Sequence, residues 1–205
     1  MTDLVIDYPL STDLLKTVAQ PEATHGWFCK LLPDMHGRSA GIRIDTGSQF
    51  RVDLPSDPLG EPGDVRLRVR SAGATVPGGR PIETPPLVSG TRCVALVAAE
   101  KRNTVDGAVR VRPVTDEEMA AWATGLLARH GIDVEDLAWS AARGYGVRGE
   151  RRVRFTVRDL SFVVADVAAD AAKKVLANGI GRGRAYGLGM VVPVAAASVL
   201  AGAHA

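Results

Sequence analysis

Between Gly179 and Gly189 the chain reads Gly-Ile-Gly-Arg-Gly-Arg-Ala-Tyr-Gly-Leu-Gly, interleaving five glycines with Arg182, Arg184 and Tyr186. Glycines let successive backbone N–H groups approach a ligand closely, guanidiniums add fixed charge, and a phenol ring offers a stacking face. That combination suits a phosphate-bearing polymer, and RNA is the first candidate ligand. Gly181, Arg182, Gly183, Arg184 and Tyr186 are the expected contacts. A P-loop would end in Gly-Lys-Ser/Thr, whereas Leu188, Gly189 and Met190 stand here. A dinucleotide fingerprint would need a strand before the glycines and a helix after them, the reverse of the order in this chain. Asn178 and Gly179 alone would make an ordinary helix stop, but that leaves the two arginines unexplained.

A second group with chemical potential is Arg143, Arg148, Arg151, Arg152, Arg154 and Arg158, which have only Glu150 as an acidic residue among them. Such a cluster creates a local positive field that steers polyanions, and it equally suits a solvated strand face. Arg143, Arg148, Arg151 and Arg152 are taken as expected RNA contacts. Arginine supplies 20 of the 25 basic residues. A GC-rich coding bias gives the same ratio, so only the clustering carries information.

Proton transfer near neutral pH points to the histidines, of which there are four: His25, His36, His130 and His204. His130 precedes Gly131 at a helix end, where an imidazolium offsets the macrodipole. His204 lies in an expected flexible tail, and His36 sits in a Pro-Asp-Met-His-Gly loop with no evident partner. His25 falls on a helix edge beside Trp27 and Phe28; position alone makes it a packed or exposed side chain more readily than a catalyst.

Composition narrows the function classes. Of 205 residues 46% are hydrophobic and 5% aromatic, enough for ordinary globular cores. The formal net charge of +2 hides an asymmetry: residues 1–90 carry 9 basic and 11 acidic side chains, residues 91–205 carry 16 and 12. Cys29 and Cys93 lack the spacing of a zinc site or disulfide framework, and no HExxH occurs, so neither metal nor other cofactor is expected. Asp3 and Asp7 stand where a secretory leader would be basic, and Pro193, Ser198 and Gly202 break the apolar tail short of the roughly 20 residues that cross a bilayer. A soluble cytoplasmic protein is expected.

The elements that must hold these residues follow from periodicity and punctuation. Leu4 to Leu10 reads as a strand, and Ser11 with Asp13 opens a short helix that Pro21 interrupts. Helix resumes over Glu22 to Leu32, with Phe28, Leu31 and Leu32 on one side and His25 at its edge. Ile42 to Asp45, Phe50 to Leu54 and Val65 to Val69 read as strands, the last alternating Arg66, Arg68 and Arg70 with Val65, Leu67 and Val69. Ala72 to Gly90 is rich in glycine and proline and reads as linker. Strands follow at Cys93 to Ala99 and Val109 to Val114. Thr115-x-x-Glu118 is a capping box for a helix whose Met119, Trp122, Ala123, Leu126 and Leu127 share a face, closed by Gly131. Arg152 to Val164 supplies strand with a turn near Asp159, Asp166 caps a helix ending at Asn178, and Leu188 to Val192 is the last strand. The economical architecture is α+β, two tandem ferredoxin-like (RRM-like) units, each an antiparallel sheet with helices on one face. The expected division is 1–78, a linker 79–90, a second unit 91–194 and a tail 195–205.

The C-terminal glycine loop between last helix and last strand, after two such halves, resembles that of the CRISPR-associated repeat-RNA processing proteins, most of all the CasE family of Cascade complexes. One extra residue separates Gly179-Ile180-Gly181 from Arg184-Ala185-Tyr186-Gly187-Leu188-Gly189 relative to the family pattern. Arg92 to Asn103, Ala121-Trp122 and Ile132 to Leu137 are similar to the family's central strand, helix and following stretch. The similarity covers about residues 90–193; upstream, His25-Gly26-Trp27 through Leu32-Pro33-Asp34 resembles the family's helix with an early histidine and a Pro-Asp exit. Where some members carry a tyrosine three residues before that histidine, this chain has Glu22.

The resemblance implies a metal-independent endoribonuclease that cuts CRISPR precursor RNA at the repeat hairpin by 2′-OH attack, leaving a 2′,3′-cyclic phosphate and a 5′-OH, with His25 as the catalytic residue. It implies a protein that stays on the 3′ hairpin of the crRNA beside a backbone subunit of a Cascade-like complex, meets target DNA only through that complex, and has no membrane partner. The other readings are a RAMP-fold subunit that holds guide RNA without cutting it, and a small-molecule enzyme on the same scaffold.

Overall fold

A computed structural model describes residues 2–32, 48–71, 76–146 and 153–194. Ser11 caps α1 (Thr12–Val18), its hydroxyl accepting the Leu14 N–H at 3.2 Å. Three residues after Val18, Pro21 sits at the first turn of α2 (Pro21–Leu31), where its missing N–H costs nothing. These helices follow β1 (Thr2–Pro9), which lies between β3 (Asp64–Arg70) and β4 (Arg80–Glu83), with β2 (Gln49–Asp53) outside β3. The order β2-β3-β1-β4 is antiparallel throughout, the ferredoxin-like arrangement. β4 falls within the interval read as linker: Arg80 to Glu83 pair with Val5 to Thr2 and form the edge of this sheet, a place a proline-containing segment tolerates. The strand expected at Ile42 to Asp45 lies outside the described residues.

The second half repeats the plan with an insertion. β5 (Arg92–Ala98) runs into a hairpin of β6 (Glu100–Val105) and β7 (Ala108–Pro113), then α3 (Asp116–Ala128), β8 (Ile132–Trp139), the short β9 (Arg143–Tyr145), β10 (Phe155–Val167), α4 (Ala169–Asn178) and β11 (Val191–Val194). The main sheet has the order β11-β5-β10-β8, again antiparallel, with β9 pairing β10. Cys93, Ala95 and Val97 of β5 face Met119, Ala123, Leu126 and Leu127 of α3 and Val175 of α4, forming the larger core. The capping box at Thr115 and Glu118 is formed.

Three local expectations give way here. β10 is one strand through Asp159, with no turn, because that carboxylate is buried against arginines from two other strands. Asp166 belongs to β10, and α4 starts after an Ala168 cap with no side-chain hydrogen bond. The last strand starts three residues later than Leu188, which is buried in the loop instead.

The face of the first sheet turned away from α2 is charged and nevertheless buried. Leu4, Phe50, Leu67 and Val69 pack toward Phe28, while the alternate residues Asp3, Arg51, Asp53, Arg68 and Arg70 point at the second half. Arg51, fully buried, donates to Asp53 at 2.6 Å and to Asp159 of β10 at 2.7 Å. Arg70 holds both Asp3 oxygens with Nε and Nη2 and donates from Nη1 to the Val191 carbonyl at 2.8 Å. Burial pushes the Asp53 carboxyl above its ordinary range, against the pull of Arg51. The two sheets are thus joined by paired ions, with Gln49 adding a 2.7 Å bond to the Leu176 carbonyl.

Candidate RNA-processing site

His25 lies on α2, whose tilt is set by Phe28 stacked on Phe50 of β2 with ring centroids 4.1 Å apart. From there the imidazole meets the glycine loop of the other half. Its Nδ1 lies 2.5 Å from the Ala185 carbonyl oxygen, 160 residues along the chain, and its ring meets Tyr186 edge to face at 5.8 Å. A carbonyl only accepts, so Nδ1 carries a proton, and in the neutral ring Nε2 is then the acceptor. The Cys29 sulfur, one helical turn on, is 3.7 Å from Nε2.

The loop is rigid for reasons legible in its residues. Ile180 and Leu188 are buried as apolar plugs, and Ile180 N–H bonds to Gly189 O at 2.8 Å while Gly189 N–H bonds to Leu96 O at 2.7 Å. Gly189 has φ +78°, and any Cβ there would overlap the Ile180 carbonyl. Arg184 to Tyr186 form one 3-10 turn entered from left-handed Gly183. Tyr145 supports it, donating its hydroxyl to the Tyr186 carbonyl at 2.9 Å; burial pushes this phenol up to about 12, so it stays a donor. Among the described residues the amide N–H groups of Arg182, Gly183, Arg184 and Ala185 have no acceptor. Backbone N–H groups without an acceptor in a glycine-rich turn are able to receive an anion. Beneath the loop an apolar crevice of about 150 Å³ runs between the halves, lined by Val18, Leu54, Leu96, Tyr145 and Tyr186 among others.

The structure sorts the sequence-derived site residues. His25 and Tyr186 come together, while Gly183 and Arg184 lie in the same turn, the Arg184 guanidinium donating to the Asn178 carbonyl. Gly181 is half a loop away, its N–H turned to His130 Nε2 at 3.4 Å. Arg182 forms an ion pair with Glu100 and lies over the Phe155 ring at 5.6 Å, so its charge is offset inside the fold. Arg143 likewise is held by Asp57 at 2.7 Å and Asp159 at 3.3 Å, a strut between the halves where the sequence had suggested a free cation. Arg158 is buried on Asp116 and Ser140, while Arg154 is exposed. Arg148, Arg151 and Arg152 lie outside the described residues, as do His36 and His204. Glu22 sits one turn before His25, but its carboxylate accepts the Val153 N–H at 2.6 Å, which gives that anion a fixed partner.

Sequence reading missed Glu100, Asp57 and Asp159, the carboxylates that decide which arginines remain available. Among the described residues no three His, Cys, Asp or Glu side chains gather as a metal-ligand set, and no helix is long and apolar enough to cross a membrane.

No family model matches the sequence, and no curated protein matches it. Solved structures do match in shape. A CRISPR endoribonuclease, Cse3, bound to a 19-nucleotide RNA superposes with a TM-score of 0.69 at 18% identity, over 95% of this chain and 99% of that one. The CRISPR-associated protein Cas6e from Escherichia coli K-12 does so with 0.62 at 15% identity, over 95% and 99%. A chain of a CRISPR RNA-guided surveillance complex gives 0.56 at 19% identity, over 95% and 99%. Over 95% of its length, with its histidine helix and its glycine loop in contact, the chain has the fold of the Cse3 and Cas6e CRISPR endoribonucleases.

Proposed function

We propose that this chain is a metal-independent endoribonuclease that cleaves CRISPR precursor RNA at the repeat hairpin and remains on the 3′ hairpin of its product as a subunit of a Cascade-like complex. The observation that carries the proposal is the docking of the His25 imidazole on the glycine loop, with Nδ1 at 2.5 Å from Ala185 O. That bond presents Nε2 as a base of fixed orientation, and the free amides from Arg182 to Ala185 lie in the adjoining loop. The Arg184 guanidinium, exposed and without a carboxylate partner among the described residues, adds charge beside them.

The chemistry follows from these groups. The ribose 2′-oxygen attacks the adjoining phosphorus, its proton passing to His25 Nε2, while the loop amides and Arg184 stabilise the added negative charge. The P–O5′ bond breaks, the 5′-oxygen takes a proton from solvent, and a 2′,3′-cyclic phosphate remains on the upstream strand. The Cys29 thiol next to Nε2 is the group that the substrate hydroxyl displaces. DNA, lacking the 2′-OH, binds without being cut. The fold match to Cse3 bound to RNA and to a chain of a surveillance complex supports the substrate and the assembly.

A second reading is a guide-RNA holder that does not cut. It is favoured by one observation: Arg182 and Arg143 are offset by carboxylates, which leaves few cations at the imidazole. Incubation with cognate repeat RNA in EDTA separates the two. Cleavage that His25→Ala abolishes, with binding retained, supports the nuclease; a stable complex without product supports the holder.

A further inference from the structure

Beside the glycine loop, the ends of α3 and α4 border a cleft of about 470 Å³ lined by Arg129, His130, Lys174, Asn178, Gly179 and Arg184 among others. No carboxylate lines it. None of Arg129, Lys174 and Arg184 takes part in an ion pair among the described residues, in contrast to Arg143, Arg158 and Arg182. Concave surface with several uncompensated cations concentrates positive potential.

The plain explanation for cations here is the helix dipole, because α3 ends at Ala128 and α4 at Asn178. Only Arg184 acts in that way, donating to the Asn178 carbonyl at 2.9 Å. Arg129 and Lys174 are exposed and bond to no terminal carbonyl, and His130 uses Nε2 to accept the Gly181 N–H. The cleft also joins the site already described. Gly179 and Arg184 line it and belong to the loop, and Ala185, next to Arg184, is the residue that holds His25.

We infer that this cleft binds the phosphodiester backbone of the single-stranded RNA flanking the cleaved hairpin, an inference that rests on the nuclease reading above. A strand crossing the loop has one phosphate at His25 and its neighbours over Lys174 and Arg129, with Arg184 between the two places. The contacts are to phosphate, so they carry affinity and register but no sequence preference.

The test compares a repeat hairpin alone with the same hairpin carrying single-stranded extensions, for the full chain and for Arg129→Ala with Lys174→Ala. The expected result is an affinity for the extended RNA lower by about tenfold at low salt, with the hairpin alone bound as before. The slope of log K against log salt for the extended RNA becomes shallower by about 0.7 per lost contact, roughly 1.4 for the pair. Lys174→Glu should have a larger effect in the same direction. Unchanged affinity and slope for the extended RNA, in a chain that still cuts the hairpin, overturn the inference and leave the nuclease reading intact. A lower melting temperature with unaltered RNA binding assigns the cations to the helix ends and also overturns it, as does lost assembly with a partner subunit while RNA binding is kept. A native chain that neither binds nor cuts repeat RNA removes the nuclease reading and this inference together.

Discussion

The ring of Phe50 occupies the space that a side chain at Gly187 would need: a Cβ built there would lie 2.7 Å from Phe50 Cε2. Phe50 is in turn stacked on Phe28, three residues beyond His25 on α2. Loop and helix are therefore spaced by one aromatic pair.

Gly187→Ala tests that spacing. The φ of +85° alone costs a non-glycine residue about 1–2 kcal/mol, and the displaced ring pushes α2 away from the loop. The melting temperature should drop and the single-turnover cleavage rate should fall more than RNA affinity does. Phe50→Leu combined with Gly187→Ala should recover part of the loss. Wild-type cleavage by Gly187→Ala would show that the helix and loop move independently.

Arg51→Met should be among the more damaging single substitutions. It leaves Asp53 buried without its cation and Asp159 with Arg143 alone, a loss on the order of 3–5 kcal/mol. Urea unfolding measures it, and adding Asp53→Asn to Arg51→Met should restore some stability because one orphaned charge is then removed.

The two thiols should separate cleanly. Cys93 is buried and its thiol is pushed up to about 12 by burial, so it stays protonated and shielded, whereas Cys29 is partly exposed beside His25. Alkylation of the native protein at pH 8, read by mass spectrometry, should give one adduct, at Cys29, with Cys93 reacting only after unfolding. Because the Cys29 sulfur adjoins Nε2, the adduct should also stop cleavage.

His130 gives a pH signature. Burial first, then the neighbouring charges of Arg129 and Arg184, holds its imidazole below the ordinary 6.5. The native state then binds fewer protons than the unfolded one between the two values. The stability linked to this residue is complete above about pH 6.5 and is lost as pH falls through the folded value, where the Gly181 N–H loses its acceptor. Histidine NMR titration should find this depressed value, and Arg129→Ala should move it back toward 6.5.

Much of the fold was legible where local chemistry and tertiary placement agree. The Ser11 cap, the break between two helices at Pro21 and the Thr115 to Glu118 box were read from residue type and spacing alone, because each is satisfied within a few residues. What escaped depends on partners far along the chain. Asp159 looked like a turn residue and is mid-strand, since Arg51 and Arg143 supply the charge that permits its burial. The alternation of arginines along β3 marked a strand without saying what covers them, and Arg68 and Arg70 are buried at the interface. The β6–β7 hairpin did carry a signal: Asp106 and Gly107 both have positive φ, as a two-residue hairpin turn requires, and Asp-Gly is a favoured pair for it. At the site, the resemblance selected His25 among four histidines, and only the coordinates showed its contact with Ala185.

The ion-paired seam between the sheets also governs what happens if the chain is cut. A nick near Thr84 to Pro86 would release a piece bearing Asp3, Arg51, Asp53, Arg68 and Arg70 on a bare surface and a second piece bearing Asp159. Neither fragment is whole: the histidine would leave with one and the glycine loop with the other. Recombined, the fragments would rebuild the contact of His25 with the glycine loop only on finding each other. The molecule is thereby suited to conversion into a two-part switch whose output reports reunion.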